Sequence, residues 1–281
     1  MSVLGFGRGR RKKTIGIIGC GAIGSEIAMA VDNGDIGVEL LGFNDLNRGN
    51  YHLLAAKLKN IHKLEFFESI EELVKKCDLV IECASKDAVK EVFEQAILRK
   101  KDVMILSVGG VLENMGLFEE AKKKRINIYI PSGAVIGVDG LEAAKFKGLQ
   151  KVTLITKKPP AAFRGNEYLI KNNINIDEIK VETILFDGNA AEAVKVFPAN
   201  VNVAATLSIA GVGPQKTHVK IVADPLVTRN THEIIVEGEF GRFKVITENL
   251  PSPNNPKTSY LTALSSIVTL KNIVDPLHIG T

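Results

Sequence analysis

Short apolar runs alternate with helix-like segments along the first half of the chain, and this alternation limits the folds open to it. The runs begin at Thr14, Val38, Cys77, Asp102 and Ile126. Stretches rich in charged residues, such as 87–99 and 117–124, separate them. Near-continuous apolar strands are typical of a parallel sheet that helices cover on both faces. Because such crossovers are right-handed, the pattern predicts a doubly wound α/β fold.

The second half has several strand-like runs in a row. They cover 152–156, 179–186, 217–223, 231–238 and 240–247. An alanine-rich, helix-like segment covers 202–210, and a last helix is predicted over 257–270, after a proline-rich stretch. Runs of strands with helices set apart predict a smaller α+β domain with a mostly antiparallel sheet.

These patterns divide the 281 residues into four parts. We expect a basic N-terminal arm at 1–12, a Rossmann-type domain at 13–133, an α+β domain at 134–252 and a helical segment at 253–281. A chain of this length is long enough for two domains of ordinary size.

The net charge of +4 belongs to the N-terminal arm rather than to the body of the chain. Arg8, Arg10, Arg11, Lys12 and Lys13 supply five positive charges with no acid among them, so the remainder carries 4 − 5 = −1. A nearly neutral body gives no support for a nucleic-acid-binding face. The arm is expected to be a solvated terminus, with a phosphate-seeking role as the alternative.

The apolar runs and the cysteines indicate where the protein works. Charge or glycine interrupts every apolar run well short of the ~18 residues that a membrane span needs, and the N-terminus lacks the apolar core of a signal peptide. Cys20, Cys77 and Cys83 have no metal-ligand spacing, so no metal site is expected. An odd number of cysteines without an export signal predicts the reducing cytoplasm.

The segment Gly19-Cys-Gly-Ala-Ile-Gly24 follows the first strand and opens a helix. Gly19 would make the tight turn, Gly21 would let the backbone approach a diphosphate, and Gly24 would let the helix pack closely on the strand. The helix N-terminus would meet the charge of the diphosphate. A plain strand-turn-helix is the alternative.

An acid and a base follow these glycines at the end of the second strand. Asp45 lies about 20 residues beyond the third glycine, where a carboxylate binds the adenosine ribose hydroxyls. This context predicts NAD binding, with Ala22 and Ile23 as part of the site. Arg48 could instead meet a 2′-phosphate or stack on adenine, which leaves NADP open, or it could be an exposed arginine on the next helix.

Small residues follow the fourth and fifth strands. Ala84 and Ser85 come after one, and Ser107 and Gly109 come after the other. Ligands of doubly wound sheets bind at the carboxyl ends of the strands, so these four residues are predicted to contact the cofactor. The glycine pair 109–110 would let the backbone approach the nicotinamide ribose. Two ordinary turns are the alternative.

Among the five histidines, His232 is the candidate for proton transfer. It shares the parity of Ile234 and Val236 along a strand, while Glu233 points the other way, so it is expected to face inward. An imidazole on a cleft wall can accept or donate a proton as hydride moves, although a buried core histidine is the alternative. The other histidines are expected to face water: His52, His62, His218 and His278.

The start of the alanine-rich helix and the proline-rich stretch carry polar groups. Asn200 and Asn202 are either N-caps or ligands of the nicotinamide carboxamide or of a substrate. The segment 255–259 would bring Lys257 and Thr258 to a helix entry, where they would suit a substrate carboxylate. A capped helix end explains this segment nearly as well.

Taken together, these segments resemble the L-aspartate dehydrogenase family. The matching segments run in family order over 13–270 and are Gly19–Gly24, Ser107–Gly110, Pro131–Ala134, Thr156–Pro160, Asn200–Ala205, Asn230–Glu233 and Glu248–Ser259. The resemblance implies that His232 is the catalytic acid/base and that Ala134 and Asn202 contact the nicotinamide end of NAD. It also implies a homodimer in which the C-terminal helix packs on the nucleotide domain. The basic arm is a departure from the family.

The resemblance implies NAD(P)-dependent oxidation of L-aspartate to iminoaspartate. The imine would hydrolyse to oxaloacetate and ammonia or pass to quinolinate synthase. A dicarboxylate needs two sets of cationic or donor groups, and Lys158 and Lys257, with Asn200 and Thr258, are the candidates. The rivals are a homoserine dehydrogenase, a dihydrodipicolinate reductase and a regulator that senses NAD without turnover. The last of these has no need of a proton carrier.

Overall fold

The computed structural model describes residues 11–197, 201–252 and 255–280, and its first half forms a six-stranded parallel sheet. The strands are β1 (Thr14–Ile18), β2 (Glu39–Asn44), β3 (Glu65–Phe66), β4 (Leu79–Glu82), β5 (Asp102–Ile105) and β6 (Ile128–Tyr129). Their order is β3-β2-β1-β4-β5-β6, and every neighbouring pair is parallel. This is the doubly wound order of dinucleotide-binding domains, which confirms the predicted fold.

Helices cover both faces of this sheet. They are α1 (Ala22–Asp32), α2 (Arg48–Ala55), α3 (Ile70–Lys76), α4 (Ala88–Arg99), α5 (Val108–Glu113) and α6 (Met115–Lys123). One apolar cluster joins Leu73, Phe93 and Ala121 from α3, α4 and α6, and another contains Ile27 and Leu54 from α1 and α2. The strands are apolar on both sides because each side is packed against one of these layers.

The second half forms a five-stranded sheet. Its strands are β7 (Leu149–Lys158), β8 (Thr183–Asn189), β9 (Thr217–Ala223), β10 (Asn230–Gly238) and β11 (Gly241–Asn249). The order is β11-β10-β7-β9-β8, and only the β7–β9 pair is parallel. The predicted α+β domain with a mostly antiparallel sheet is therefore confirmed.

The remaining elements surround the second sheet or follow it. They are α7 (Val138–Lys145), α8 (Glu167–Lys171), α9 (Ala190–Val196), α10 (Val201–Ala210), the short strands β12 (Pro251–Ser252) and β13 (Asn255–Ser259), and α11 (Tyr260–Asn272). Apolar side chains of α7, α9 and α10 join Val152, Leu154 and Ile234 in one core. The opposite face of the sheet carries charged and partly exposed side chains.

Two predicted elements were placed wrongly. The last helix begins at Tyr260, not at 257, because residues 255–259 form β13, which pairs with β12. Pro256 lacks a backbone N–H and favours an extended residue before it, so the chain stays extended until the helix begins. Lys257 and Thr258 thus lie in a strand and not at a helix entry. The strand predicted over 179–186 is Thr183–Asn189, because 176–178 forms a 3₁₀ turn and a bulge follows Ile184.

Strand β3 was not predicted, because a strand of two residues at the edge of the sheet is too short to show a periodic pattern of hydrophobic residues.

The basic arm is only partly described: Arg8 and Arg10 lie outside the described residues. Arg11 is exposed and pairs with Asp78 at 2.9 Å. Lys13 pairs with Asp102 at 2.8 Å and is half-buried, so it belongs to the folded body.

The last two long helices join the two halves of the molecule. Ala205 of α10 lies in the apolar cluster of α3, α4 and α6, and Leu270 of α11 is fully buried in the cluster of α1 and α2. Residues 202–206 of α10 and 262–266 of α11 contribute side chains to one cavity, together with residues of both halves. The exact domain boundaries stay a prediction. No helix in the described part of the chain is long and apolar enough to cross a membrane.

Candidate active site

The glycine-rich turn has the geometry of a diphosphate cradle. Gly19 has φ +97°, and a Cβ there would lie 2.7 Å from the Cys83 backbone. A Cβ on Gly24 would lie 2.0 Å from the carbonyl oxygen of Gly19, so only glycine lets α1 approach this closely. Among the described residues, a Cβ on Gly21 would meet nothing within 4 Å, and no side chain caps the N-terminus of α1. The open space over unpaired backbone N–H groups therefore fits the diphosphate of NAD or NADP.

Asp45 lies beside this turn at the carboxyl end of β2. Its Oδ2 accepts a hydrogen bond from the backbone N–H of Cys20 at 2.7 Å, and its Oδ1 accepts one from Asn47 N–H at 2.7 Å. The carboxylate thus holds the turn at the carboxyl end of β2, the edge where ligands bind in this fold. Arg48 is an exposed residue on α2; its guanidinium lies 4.7 Å from the Phe66 ring centroid and pairs with Glu68.

The predicted residues after β4 and β5 lie along the same sheet edge. Ala84 and Ser85 are exposed, and Ser107 precedes α5. Gly109 donates its backbone N–H to Asn202 Oδ1 on α10 at 3.1 Å, which links the two domains. Packing explains why residue 110 is a glycine. A Cβ added at Gly110 would lie 2.6 Å from the Lys86 carbonyl oxygen, so only a glycine lets α5 pack this closely on the turn after β4.

A cavity of about 200 Å³ opens between the two domains. It brings together six of the predicted site residues: Ile23, Ala134, Lys158, Asn202, His232 and Thr258. The other predicted cofactor residues are not part of its wall and follow the carboxyl edge of the first sheet: Gly19, Gly21, Ala22, Gly24, Asp45, Ala84, Ser85, Ser107 and Gly109. Asn200 lies outside the described residues, and for Lys257 the structure describes only the backbone, in β13.

His232 is the buried imidazole of this cavity. The side chain faces inward, as its parity predicts, and is 5% exposed. Its Nδ1 lies 3.0 Å from Thr156 Oγ1, so Nε2 is the nitrogen left for a ligand. Burial, together with the charge of Lys158, lowers the pKa of His232 from 6.5 to about 3. The imidazole is therefore neutral near neutral pH.

The other histidines lie away from this cavity. His52, His62 and His278 are exposed, as expected. His218 is not simply solvated: its Nε2 lies 2.5 Å from Asp187 Oδ1, and its Nδ1 is buried without a hydrogen-bond partner among the described residues. It lies on the face of the second sheet opposite to His232, so it is not a rival for the same role.

Lys158 supplies a positive charge to the cavity wall. Burial lowers the pKa of its amine from 10.5 to about 8, and within the described ranges no carboxylate pairs with it. Because it lies two residues after Thr156 on β7, it shares the inner face with His232 on the neighbouring strand. An unpaired, partly desolvated ammonium at this place favours an anionic ligand.

Sequence reasoning missed several polar residues that shape the site. Asn249 Nδ2 donates to the Ala134 carbonyl oxygen at 2.9 Å, and its Oδ1 accepts from Ser259 Oγ at 2.6 Å. Thr156 and Glu82 are both buried, and each bonds a residue that was predicted. Two features of the sequence could have identified them. Thr156 lies two residues before Lys158 and therefore on the same face of the strand, and Glu82 is a single acidic residue in an otherwise apolar strand. The described residues contain no cluster of metal-ligating side chains.

Comparisons with known proteins agree with this architecture. The family model described as "Aspartate dehydrogenase, C-terminal" matches residues 139–273, and the one described as "Homoserine dehydrogenase, NAD binding domain" matches residues 19–131. An L-aspartate dehydrogenase of Methanosarcina acetivorans is 50% identical over 270 residues, which cover 95% of this chain and 99% of the relative. One of Methanococcoides burtonii is 52% identical with the same coverage. The chain belongs to the L-aspartate dehydrogenase family.

Solved structures of dehydrogenases have the same fold as this chain. The crystal structure of aspartate dehydrogenase from Thermotoga maritima matches with a TM-score of 0.74 and 27% identity, and the match covers 96% of this chain and all of that one. A homoserine dehydrogenase from Thiobacillus denitrificans matches with a TM-score of 0.61 over 96% of this chain and 76% of its own, at 12% identity. The latter shows the fold alone. The aspartate dehydrogenase fold, with its NAD-binding domain, is thus established.

The position of Asp45 generates a test of cofactor preference. We expect Asp45→Ser to shift the ratio of kcat/KM values from NAD toward NADP by about tenfold or more, because the carboxylate that repels a 2′-phosphate disappears. Arg48→Ala should leave the ratio of the parent protein within about twofold, since Glu68 already pairs with that guanidinium. Steady-state kinetics with both cofactors decide this. An unchanged ratio in Asp45→Ser would mean that Asp45 does not face the ribose.

Proposed function

We propose that this chain oxidises L-aspartate to iminoaspartate with NAD or NADP as the hydride acceptor, and catalyses the reverse reductive amination. The imine then hydrolyses to oxaloacetate and ammonia. The observation that carries the proposal is the cavity in which buried His232 and unpaired Lys158 lie next to the glycine-rich turn. The 50–52% identity to L-aspartate dehydrogenases over nearly the whole chain favours this substrate over that of a homoserine dehydrogenase.

The chain provides a complete set of candidate residues for the dinucleotide. The glycine turn and the first N–H groups of α1 would hold the diphosphate, and Asp45 would accept from the ribose hydroxyls. Ala84, Ser85, Ser107, Gly109, Ala134 and Asn202 would line the nicotinamide half. When bound, the nicotinamide supplies the acceptor for the hydride that leaves the Cα of aspartate.

His232 is proposed to hold and move the proton. As a neutral imidazole it accepts at Nε2 the proton that the substrate amine loses, or activates the water that attacks the imine. The Thr156 hydroxyl can bond Nδ1 in either tautomer, so it keeps the ring in place while the proton at Nε2 comes and goes. Burial and the charge of Lys158 keep the ring a weak base until the substrate arrives.

Lys158 is proposed to bind one substrate carboxylate and thereby to strengthen the base. The charge of Lys158 is one cause of the low pKa of His232. When a carboxylate pairs with that ammonium, the charge is compensated, and the second carboxylate adds negative potential, so the pKa of His232 rises. Thr258, at the cavity wall, and Lys257 and Asn200 are proposed for the second carboxylate.

A homodimer and a direct transfer of the imine to quinolinate synthase are further parts of the proposal. The face of the second sheet opposite to the cavity carries Ile184 and Ile246, which are 55% and 51% exposed, and a two-fold contact between two copies would cover them. Sedimentation velocity would show twice the 30.5 kDa chain mass.

Direct transfer of iminoaspartate to quinolinate synthase would protect the imine from hydrolysis by water. The yield of quinolinate in a coupled reaction tests this transfer. The three free thiols support a cytoplasmic location.

A panel of amino acids tests the substrate. We expect L-aspartate to reduce NAD with a kcat/KM at least about tenfold above that of L-glutamate, L-alanine or homoserine. Alanine and homoserine leave a carboxylate-binding group unpaired, at a cost of about 2–5 kcal/mol, and glutamate misplaces one charge by a methylene. Faster turnover of homoserine would make the chain a homoserine dehydrogenase. Tight NAD binding without any turnover would make it a sensor.

Substitution of His232 tests the proton carrier. We expect His232→Ala to lower kcat by about 100-fold or more and to leave the Kd for NAD within about twofold, because the imidazole belongs to the second domain. Thr156→Val should lower kcat by about tenfold, and Thr156→Ser, which keeps the hydroxyl, should retain it. His62→Ala, at an exposed histidine, is the control. If folded His232→Ala kept near-normal turnover, His232 would be a buried core residue with no part in proton transfer.

The pH dependence of inhibitor binding tests Lys158. Succinate is a dicarboxylate without an amine, and both of its carboxylates are ionised at neutral and basic pH. Because an amine is charged only below its pKa, the inhibition constant should rise as the pH passes about 8. The rise should be about tenfold between about pH 7 and pH 9. In Lys158→Arg, whose guanidinium stays protonated, the constant should stay flat. The same rise in both proteins would assign the titration to another group.

A further inference from the structure

Glu82 is a buried acid for which the proposed mechanism has no use. It is the last residue of β4, otherwise an apolar strand in the middle of the parallel sheet, and it is 0% exposed. Burial raises the pKa of its carboxyl, while hydrogen bonds from Ser107, Ala84 and Ser85 act in the opposite direction. Acids are rarely buried this completely unless their oxygens are satisfied.

The contacts of Glu82 all come from donors. Its Oε1 accepts from the backbone N–H of Ala84 at 2.9 Å and from Ser107 Oγ at 2.8 Å. Its Oε2 accepts from the backbone N–H of Ser107 at 3.0 Å. A carboxylate satisfies all of these donors at once, whereas an amide at this position cannot. Whichever way a glutamine is turned, its NH₂ faces the backbone N–H of Ala84 or that of Ser107.

The donors belong to the two turns that follow β4 and β5. These turns lie at the carboxyl edge of the sheet, next to the point where the strand order reverses, and ligands of this fold bind there. One buried carboxylate therefore fixes the distance between two turns that face the cofactor.

The turn after β5 leads directly to the cavity. Leu106 and Val108, on either side of Ser107, line it. The next residue, Gly109, donates to Asn202 on the second domain at 3.1 Å. A displacement of Ser107 would therefore shift both the floor of the nicotinamide pocket and a link between the domains.

We propose that Glu82 is a positioning residue for the nicotinamide half of the cofactor: its carboxylate holds the turns after β4 and β5 in place without touching the cofactor itself. This inference rests on the proposed dinucleotide-binding function. The proposed role divides the cofactor site into a nicotinamide half, which depends on Glu82, and an adenosine diphosphate half, which does not. The second half consists of the diphosphate cradle Gly19–Gly24 and the proposed ribose contact of Asp45.

Binding of two nucleotides to the full-length protein tests this role. NADH spans both parts of the site, whereas ADP lacks the nicotinamide riboside. We expect Glu82→Gln to raise the Kd for NADH and the KM for NAD by about tenfold and to leave the Kd for ADP within about twofold. At saturating NAD the kcat should stay within about threefold of the parent value, because His232 and Lys158 belong to the other domain.

The controls keep a positioning role apart from a loss of structure. Glu39→Gln changes an exposed glutamate at the opposite edge of the same sheet, and it should bind NADH as the parent does. If Glu82→Gln does not fold, Glu82→Asp keeps the charge but shortens its reach, and it should weaken NADH by about threefold with ADP unchanged. Equal weakening of ADP and NADH, or no weakening of NADH, would overturn the proposal. A parent protein that binds no NADH would instead overturn the proposed function.

Discussion

The pairing register of β7 and β10 is the constraint on which the site depends. Thr156 lies opposite His232 because Val152 and Leu154 lie opposite Val236 and Ile234, and these four apolar residues are buried in the core of the second domain. Side chains alternate between the faces of a strand, so a slip by one residue would turn the imidazole to the outer face. The same hydrophobic burial that folds the sheet thus orients the proposed acid/base.

The register also places two cationic or potentially cationic groups side by side in one cavity. Lys158 and His232 share the inner face of the sheet, and burial lowers the pKa of each. Within the described residues no carboxylate pairs with the ammonium of Lys158 in this cavity. In the proposed mechanism an anionic substrate would serve as the counter-ion of this ammonium, and its arrival would raise the proton affinity of the imidazole. Substrate binding and proton transfer would then be coupled through the neighbouring positions of these two side chains on the sheet.

The sequence predicted those features that follow from the local spacing of hydrophobic residues or glycines along the chain. The apolar runs predicted the parallel sheet, the alternation around Ile234 predicted an inward His232, and the glycine spacing predicted the cradle. It failed where partners come from far along the chain. Glu82 bonds a serine 25 residues away, and Asn249 bonds Ala134 across 115 residues, and no period marks such pairs. The strand at 255–259 was missed because a proline-rich segment was assigned to the start of the helix that follows it.

The burial of Leu270 has a consequence for how the protein is made. A ribosome releases the first domain well before α11, yet the apolar layer that contains Ile27 and Phe43 is complete only when Leu270 joins it. The nucleotide-binding half of the nascent chain therefore lacks the contact with Leu270 until α11 has been synthesised. This apolar layer thus depends on a residue from the far end of the chain, although the strand order is that of an independent domain.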